Sequence, residues 1–234
     1  MNAALAAELP GRVAAVRARI ERAGGDPERI RLLAVTKGFG ADVARTALDA
    51  GLVDLGESYV QELTSKAAEL SEPDDSGPDG VEPAPRWHFV GRLQRNKVRK
   101  AAPHVVVWHS VDRLSLGAEI ARCAPGAAVF AQVNTTGEEQ KGGCPPALLP
   151  ALVDGLRDLG LDLRGLMTVG PAGPAEGARP AFRALRELAD THGVAELSMG
   201  MTGDLEVAVE EGTTIVRVGS GLFGPRPDRP GMRH

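Results

Sequence analysis

The chain has 234 residues, of which 43% are hydrophobic and 25% are charged, and its formal net charge is −4 at pH 7. This composition is typical of a folded globular protein, so it excludes disorder, collagen and a coiled coil as descriptions of the whole chain, while the acidic balance argues against general nucleic-acid binding. The length suits one domain, or two small ones, with a core that needs neither disulfide bonds nor a metal ion for support.

Strand-like and helical patterns alternate from one end of the chain to the other. An amphipathic helix is predicted first, over residues 3–22, and it ends at Gly24-Gly25. Apolar runs of strand length then predict strands at 31–36, 53–56, 87–90, 105–109, 128–133, 163–169, 196–199 and 214–218. The helical patterns between them predict helices at 42–50, 60–70, 94–101, 112–123, 146–159, 175–192 and 204–211.

This alternation predicts an α/β fold with a parallel sheet, because parallel strands need a crossover connection and a helix usually supplies it. The strands are continuous apolar runs, which is typical of a sheet that is buried on both faces. Eight such units predict one closed (β/α)8 TIM-type barrel, a single domain over residues 1–234 with an extra N-terminal helix. An open, doubly wound sheet is the alternative.

Two segments interrupt the pattern. Residues 71–85, SEPDDSGPDGVEPAP, contain four prolines and five acidic residues, and we expect a disordered insertion there. Because this segment joins a helix to the next strand, it would lie at the amino-terminal end of the barrel, away from the chemistry. The Pro-rich tail, 225–234, is expected to be frayed.

The sequence carries no sign of export or of a membrane segment. Residues 1–10 have no basic-then-apolar signal region, and no apolar run approaches the ~20 residues that span a bilayer. Cys123 and Cys144 have no partner at metal-binding or CxxC spacing, so we expect reduced thiols. These observations predict a cytoplasmic protein that binds neither metal nor membrane.

The carboxyl ends of the strands carry the candidate functional residues, because barrel enzymes place their chemistry there. The candidate residues at these positions are Lys37, Glu57, Ser58, His88, Gly91, His109, Ser110, Gln132, Asn134, Met167, Thr168, Ser198, Gly200, Thr202, Arg217, Gly219, Ser220 and Gly221. Lys37 is conspicuous, since lysine is scarce in this chain and seldom follows a buried strand. Burial lowers the pKa of a lysine and makes its amine a nucleophile toward aldehydes. The alternative is a lysine that only extends to water.

Small and hydroxyl-bearing residues follow the last two strands, at 198–202 (SMGMT) and 219–221 (GSG). Backbone amides in such segments bind anions, and barrels frequently bind phosphate after strands seven and eight. In a closed barrel the first strand lies beside the eighth, so Lys37 would lie near this phosphate site. A lysine beside a phosphate site indicates pyridoxal phosphate. Tight turns that need glycine are the alternative, although they do not explain Ser198, Thr202 and Ser220 together.

Arg217 lies inside the apolar run TIVRV and cannot lose its charge. Sites for pyridoxal phosphate place an acid or an arginine at the pyridine nitrogen. An arginine only donates, so it would leave that nitrogen unprotonated and restrain carbanion chemistry. A structural salt bridge, for example with Glu57, is the alternative. The basic cluster at 92–100 has no interleaved aromatic residues, which favours a solvated helix face over nucleic-acid binding.

Seven sequence blocks resemble the pyridoxal phosphate homeostasis protein family. They are LLAVTK at 32–37, GESYVQE at 56–62, WHFVGRLQRNK at 87–97, QVN at 132–134, RGLMTV at 164–169, LSMGMTGDLEVAV at 197–209 and RVGSGLFG at 217–224. They occur in order from the first predicted strand to the eighth, so the resemblance covers nearly the whole chain. The family has a single barrel similar to the N-terminal domain of alanine racemase.

The resemblance implies a Schiff base between pyridoxal phosphate and Lys37, with Arg217 at the pyridine nitrogen. The residues it implies for cofactor binding are Lys37, Ser58, Asn134, Met167, Ser198, Gly200, Arg217, Gly219 and Ser220, with no catalytic residue and no metal ligand. Ser58 departs from the family, which usually has Asn at this position, and the shorter side chain would lose a contact. Residues 36–40, TKGFG, also differ from the usual SKTKP.

The function implied by the resemblance is vitamin B6 homeostasis, as a carrier or regulator of pyridoxal phosphate without established turnover. The implied partners are the cofactor itself and apo enzymes that use it, with the protein a monomer or weak dimer that binds no nucleic acid. The alternative is a pyridoxal-phosphate-dependent amino-acid racemase. Two-base racemisation needs an acid or base on each face of the α-carbon, and Tyr59 is the chain's single tyrosine, so the racemase hypothesis is the weaker one.

Overall fold

The computed structural model describes residues 3–71 and 84–227, which form a closed barrel of eight parallel strands. Each strand pairs with the next, and the eighth returns to the first, with Leu33 beside Arg217. The strands are β1 (Arg31–Val35), β2 (Asp54–Glu57), β3 (Arg86–Phe89), β4 (Val105–Val111), β5 (Ala128–Gln132), β6 (Asp162–Met167), β7 (Glu196–Ser198) and β8 (Ile215–Val218). The predicted barrel is therefore confirmed, and the open sheet is excluded.

Helices surround the barrel, and most of them connect consecutive strands. They are α1 (Ala3–Arg22), α2 (Ala41–Asp49), α3 (Val60–Ser71), α4 (Val98–Ala101), α5 (Leu114–Cys123), α6 (Leu149–Asp158), α7 (Arg179–His192), α8 (Leu205–Glu210) and α9 (Ser220–Phe223). The extra helix α1 buries Leu5, Leu9, Val16 and Ile20 along one stripe, and it contacts α8, α9 and α2. It thereby covers the barrel where β8 meets β1.

Several predicted helices begin later than their patterns indicate, because their first turn is a 3-10 helix. Residues 95–97 form such a turn before α4. The same is true of Pro146–Leu148 before α6 and of Ala175–Ala178 before α7. Helix α9 was not predicted, because four residues are too few to show a helical period.

The barrel interior contains two kinds of side chain. An apolar layer is formed by Leu33, Val107, Ala128, Phe130, Met167 and Ile215. Polar side chains lie among and above this layer, and His88, His109, Ser198 and Arg217 are all buried. Buried polar groups are expensive unless they are hydrogen-bonded, so this polar content marks the part of the barrel where the candidate site is found.

The expected insertion at 71–85 and the expected frayed tail at 225–234 fall largely on residues 72–83 and 228–234, which lie outside the described residues. Residues 225–227 are described, and Arg226 lines the cavity discussed below. None of the described helices is both long enough and apolar enough to cross a membrane. Within the same residues, no group of three or more His, Cys, Asp or Glu side chains could hold a metal ion.

Gly165 allows β6 to approach β7 closely, which gives a test of the barrel packing. A Cβ atom added at Gly165 would lie 1.8 Å from the carbonyl oxygen of Glu196, and this backbone atom cannot move without disturbing the ladder. We expect Gly165→Ala to lower the free energy of unfolding by about 1–3 kcal/mol, measured by urea denaturation. Gly177→Ala is the control, because no atom lies within 4 Å of the added Cβ. Equal stability of the two variants would contradict this packing.

Candidate functional site

A cavity of about 380 Å³ lies at the carboxyl ends of the barrel strands. Its lining residues are Val35, Lys37, Phe39, Val90, Val169, Met201, Thr202, Gly203, Arg217, Gly219, Ser220 and Arg226. The ionisable side chains in this set are three cations, Lys37, Arg217 and Arg226, and no carboxylate lines the cavity among the described residues. The cavity therefore suits an anionic ligand that also presents apolar surface.

The amine of Lys37 makes no hydrogen bond or ion pair with any residue that the structure describes. Burial lowers the pKa of Lys37, and the positive charges of Arg226 and Arg217 lower it further, against the opposing effect of Glu57 and Glu62. A lowered pKa increases the share of neutral amine near pH 7, and only the neutral amine is a nucleophile. The chemistry expected of Lys37 from the sequence is thus supported by its surroundings.

Two charged side chains of α3 hold the backbone on both sides of Lys37. Lys66, from the buried face of α3, donates from Nζ to the Thr36 carbonyl at 2.7 Å and to Glu57 Oε1 at 2.5 Å. Glu62 accepts from the Gly38 amide at 2.7 Å. Both neighbours of Lys37 are therefore fixed by buried, charge-assisted hydrogen bonds, and the direction in which Lys37 leaves β1 is set by α3.

Arg217 is buried, and it donates only to uncharged oxygen atoms among the described residues. Its Nη1 donates to the Ser198 carbonyl at 2.6 Å and to Ser198 Oγ at 2.9 Å, and its Nη2 donates to the Thr168 carbonyl at 2.8 Å. Burial lowers the pKa of Arg217 to about 10, so the group stays charged at neutral pH. A guanidinium has five N–H groups, so two of them remain for a ligand in the cavity.

The alternative of a salt bridge between Arg217 and Glu57 is wrong. Glu57 accepts from Lys66 and from Thr36 Oγ1, at 2.5 and 2.6 Å, on the side of β2 that faces α3. Within the described ranges, Arg217 has no carboxylate at ion-pair distance. Its positive charge is therefore available to the cavity that it lines.

Backbone amides on two loops complete the cavity. The amides of Thr202, Gly203, Gly219 and Ser220 donate to no acceptor within the described residues. The first loop is held in place by Arg19 of α1, whose Nη2 donates to the Thr202 carbonyl at 2.8 Å. Unpaired amides beside three cations are suited to phosphate oxygens, so this end of the cavity fits the phosphate site expected from the sequence.

The nine residues expected to bind the cofactor are not all in one place. Lys37, Arg217, Gly219 and Ser220 line the cavity. Ser198 is fully buried beneath it and accepts a hydrogen bond from Arg217. Gly200 has a φ of +88°, and its carbonyl accepts from the Arg217 amide at 2.9 Å. Met167 packs in the apolar layer of the barrel interior.

Ser58 and Asn134 are not among the residues that line this cavity. Ser58 lies beside Gly91, in a separate surface pocket that also includes Tyr59. Asn134 stabilises its own loop, since its Nδ2 donates to the Glu138 carbonyl at 3.1 Å and its Oδ1 accepts from the Gly137 amide at 2.9 Å. A cofactor role for these two residues remains a prediction.

The sequence reasoning missed Glu62, Lys66 and Arg226. The first two could have been found from the helical pattern of α3, since Lys66 follows Leu63 by three residues and so falls in the apolar stripe. Arg226 had no such signal, because it lies in a Pro-rich segment without periodicity. Only the packing of that segment over Gly38 brings Arg226 to the cavity.

Comparisons with known proteins show which family and which proteins this chain is similar to. Residues 12–227 match the family described as alanine racemase, N-terminal domain. The chain is 44% identical over 231 residues to the pyridoxal phosphate homeostasis protein of Pseudomonas aeruginosa, covering 94% of this chain and 95% of the relative. It is 41% identical over 218 residues to the protein of the same name from Aquifex aeolicus, covering 88% and 91%.

A solved structure of a relative contains a ligand. The structure of PipY from Synechococcus elongatus PCC7942 with PLP bound superposes with a TM-score of 0.79 at 34% sequence identity. The match covers 92% of this chain and 100% of that protein. The curated relatives are named as homeostasis proteins and not as enzymes, which agrees with the expectation of a cofactor-binding protein that is not an enzyme.

The buried pair of Lys66 and Glu57 gives a test of how the Lys37 backbone is held. Lys66→Met leaves Glu57 buried without its partner, and we expect a loss of about 3–5 kcal/mol in the free energy of unfolding, measured by urea denaturation. Burial already raises the pKa of Glu57, and removal of Lys66 raises it further. Because the folded variant then binds a proton that the unfolded chain releases, the loss should shrink as the pH falls toward the unfolded pKa.

Two further variants control this measurement. Glu57→Gln combined with Lys66→Met removes both charges, so it should regain part of the stability that Lys66→Met alone loses. Lys100→Met changes an exposed lysine and should have little effect. A Lys66→Met protein as stable as Lys100→Met would contradict the pairing.

Arg226 gives a test of the electrostatics at Lys37. We expect Arg226→Gln to raise the pKa of Lys37, because the change removes a nearby positive charge that disfavours the ammonium form. The pKa is measured by NMR after reductive ¹³C-methylation of the lysines, at low ionic strength, where screening is weak. Arg99→Gln, at an exposed position, is the control and should leave the titration unchanged. No rise for Arg226→Gln would contradict this placement.

Proposed function

Because the chain belongs to the alanine racemase N-terminal domain family and, within it, to the pyridoxal phosphate homeostasis proteins, we propose that it binds pyridoxal 5'-phosphate as a Schiff base on Lys37. Binding of this cofactor and a role in its homeostasis accord with the family and with the PLP-bound relative. The finer proposal is that the protein carries or regulates the cofactor without catalytic turnover. We further propose cytoplasmic location, where Cys123 and Cys144, both free, remain reduced.

The observation that carries the proposal is the amine of Lys37, which has no hydrogen-bond or ion-pair partner among the described residues. It lies in a cavity whose charged lining residues, among those described, are all cations. When bound, pyridoxal phosphate supplies an aldehyde that a neutral amine attacks, with loss of water. Burial and the charges of Arg226 and Arg217 favour the neutral amine. The backbone contacts of Glu62 and Lys66 keep Lys37 in one orientation, so the amine is positioned before a ligand arrives.

The residues of the cavity fit the other two polar parts of pyridoxal phosphate. The free amides of Thr202, Gly203, Gly219 and Ser220 suit the phosphate group. Arg217 retains N–H groups for the ring nitrogen, and since a guanidinium only donates, that nitrogen stays unprotonated. The apolar lining, including Val35, Phe39 and Val90, suits the faces of the ring.

The cavity supports binding more than turnover. Among the described lining residues, no His, Tyr, Cys, Asp or Glu side chain is present beside Lys37 to act as a second acid or base. Tyr59, which the racemase hypothesis would need, lines the separate surface pocket. The proposed recipients of the cofactor are apo enzymes that use pyridoxal phosphate, and the proposed assembly state is a monomer or weak dimer.

Absorbance tests the Schiff base. We expect the purified protein, mixed with pyridoxal phosphate, to show a visible band that changes with pH, because the imine and its protonated form absorb differently. Borohydride reduction should then fix the cofactor on the peptide that contains Lys37, as detected by mass spectrometry. Lys37→Ala should lose both the band and the adduct, while Lys100→Ala, at an exposed lysine, should retain both.

Two outcomes would overturn parts of the proposal. A visible band and a reduced adduct that persist in Lys37→Ala would place the covalent site elsewhere. Exchange of the α-proton of alanine for deuterium, faster with the protein than with free pyridoxal phosphate, would favour the racemase alternative over a carrier or regulator.

A further inference from the structure

A hydrogen-bonded network crosses the barrel interior from the cavity to the opposite end. Ser198 Oγ accepts from Arg217 and lies 2.9 Å from His109 Nδ1. His109 Nε2 lies 2.8 Å from His88 Nδ1, and His88 Nε2 lies 3.1 Å from Asp54 Oδ1. We call these five residues the interior network. Asp54 is the first residue of β2, whereas Arg217 lies near the end of β8, so the network joins the two ends of the barrel.

The network is enclosed by the barrel. His88, His109 and Ser198 each have a relative exposure of 0%. The ring of His109 stacks on Phe130, with centroids 4.6 Å apart and an angle of 5° between the planes. Because water is excluded, each hydrogen bond in the network is stronger than it would be in solvent, and each missing partner would be costly.

Asp54 is ionised, and both histidines are neutral near pH 7. Burial acts against ionisation, but the hydrogen bond with His88 and the charges of Arg86 and Arg31 lower the pKa of Asp54. Burial lowers the pKa of His88 and lowers that of His109 well below its usual value. The charged groups that face the rings are Asp54, Arg31, Arg86 and Arg217, and Arg31 in turn pairs with Glu196 of β7 at 3.5 Å.

Only one arrangement of protons satisfies every contact. Arg217 must donate to Ser198, because a guanidinium has no acceptor, and ionised Asp54 must accept from His88 Nε2. A neutral His88 then accepts at Nδ1, so His109 donates from Nε2 and accepts at Nδ1. The hydroxyl of Ser198 supplies that last proton. Both rings therefore carry their proton on Nε2, and every hydrogen bond points from Arg217 toward Asp54.

We propose that His88, His109 and Ser198 are positioning residues, which connect the carboxylate of Asp54 to the guanidinium of Arg217 and so hold that guanidinium in the orientation that faces the ring nitrogen of the cofactor. The hydrogen bonds have this orientation in the ligand-free protein. The effect of the network on cofactor binding rests on the proposed function. The charge of Asp204 raises the pKa of Arg217, and the aligned dipoles of the network add the influence of Asp54 from the other end of the barrel.

NMR of the ligand-free protein tests the network itself. Long-range ¹H–¹⁵N correlation spectra distinguish the two tautomers of each of the five histidines. We expect His88 and His109 to carry the proton on Nε2, to be neutral near pH 7 because burial lowers the pKa of both rings, and to show ¹⁵N–¹⁵N coupling across their shared hydrogen bond. A proton on Nδ1 of either ring, or absence of that coupling, would overturn the proposal.

Substitutions then test the consequence for the cofactor. His109→Phe keeps an aromatic ring beside Phe130 but removes both ring nitrogens, so we expect the affinity for pyridoxal phosphate to fall about tenfold or more, as for a lost hydrogen bond to a charged group. The ¹⁵N signals of the Arg217 side chain should shift as well, in the absence of ligand. His109→Gln, whose amide offers one acceptor and one donor, should recover part of both.

Val107→Ala provides the structural control, since it removes packing from the same interior layer without a hydrogen bond. We expect Val107→Ala to lower stability while leaving the Arg217 signals and the cofactor affinity near those of the unmodified protein. Equal losses of affinity in His109→Phe and Val107→Ala would overturn a positioning role. Failure of the unmodified protein to bind pyridoxal phosphate would instead contradict the proposed function, and the NMR result on the ligand-free protein would still stand.

Discussion

A permanently charged guanidinium inside a closed barrel is the constraint on which the rest of the site depends. Arg217 cannot shed its proton, and within the described residues its direct partners are the uncharged oxygens of Ser198 and Thr168. Its charge is therefore compensated partly by the nearby charge of Asp204, partly by the aligned dipoles that end at Asp54 and partly by an anion that enters the cavity. A barrel with this charge inside is suited to an anionic ligand at the end of the strands where Arg217 lines the cavity.

The lowered pKa of Lys37 has part of its cause in the same buried charge. Arg217 and Arg226 disfavour the ammonium form, and burial acts in the same direction. Lysine is able to respond by losing its proton, whereas the two arginines are not. The second lysine, Lys66, lies on the side of β2 that faces α3, where it pairs with the carboxylate of Glu57. The two lysines thus differ in their neighbours: Lys66 pairs with a carboxylate, whereas the amine of Lys37 has no ion-pair partner among the described residues.

The two ends of the barrel have different roles in the proposed function. The carboxyl ends of the strands carry the cavity, its free amides and the three cations. The amino ends carry a cluster of Arg31, Asp54, Arg86 and Glu196 at the first positions of β1, β2, β3 and β7. His88 and His109 connect the two ends through hydrogen bonds. A change in the ion pairs at the amino ends would therefore alter the electrostatic environment of Arg217 in the cavity.

The sequence by itself determined the barrel, the position of Lys37 and the anionic character of the ligand. The alternation of apolar runs with helical patterns gives the number of strand–helix units, and closure of the barrel places the first strand beside the eighth. A lysine that directly follows an apolar run is visible without a structure. Tertiary structure decided the rest. Lys66 and Glu57 meet because α3 packs on β2, Arg226 reaches the cavity through a segment without periodicity, and His88 and His109 meet across neighbouring strands. Such contacts depend on register and packing between distant segments, which local residue patterns do not encode.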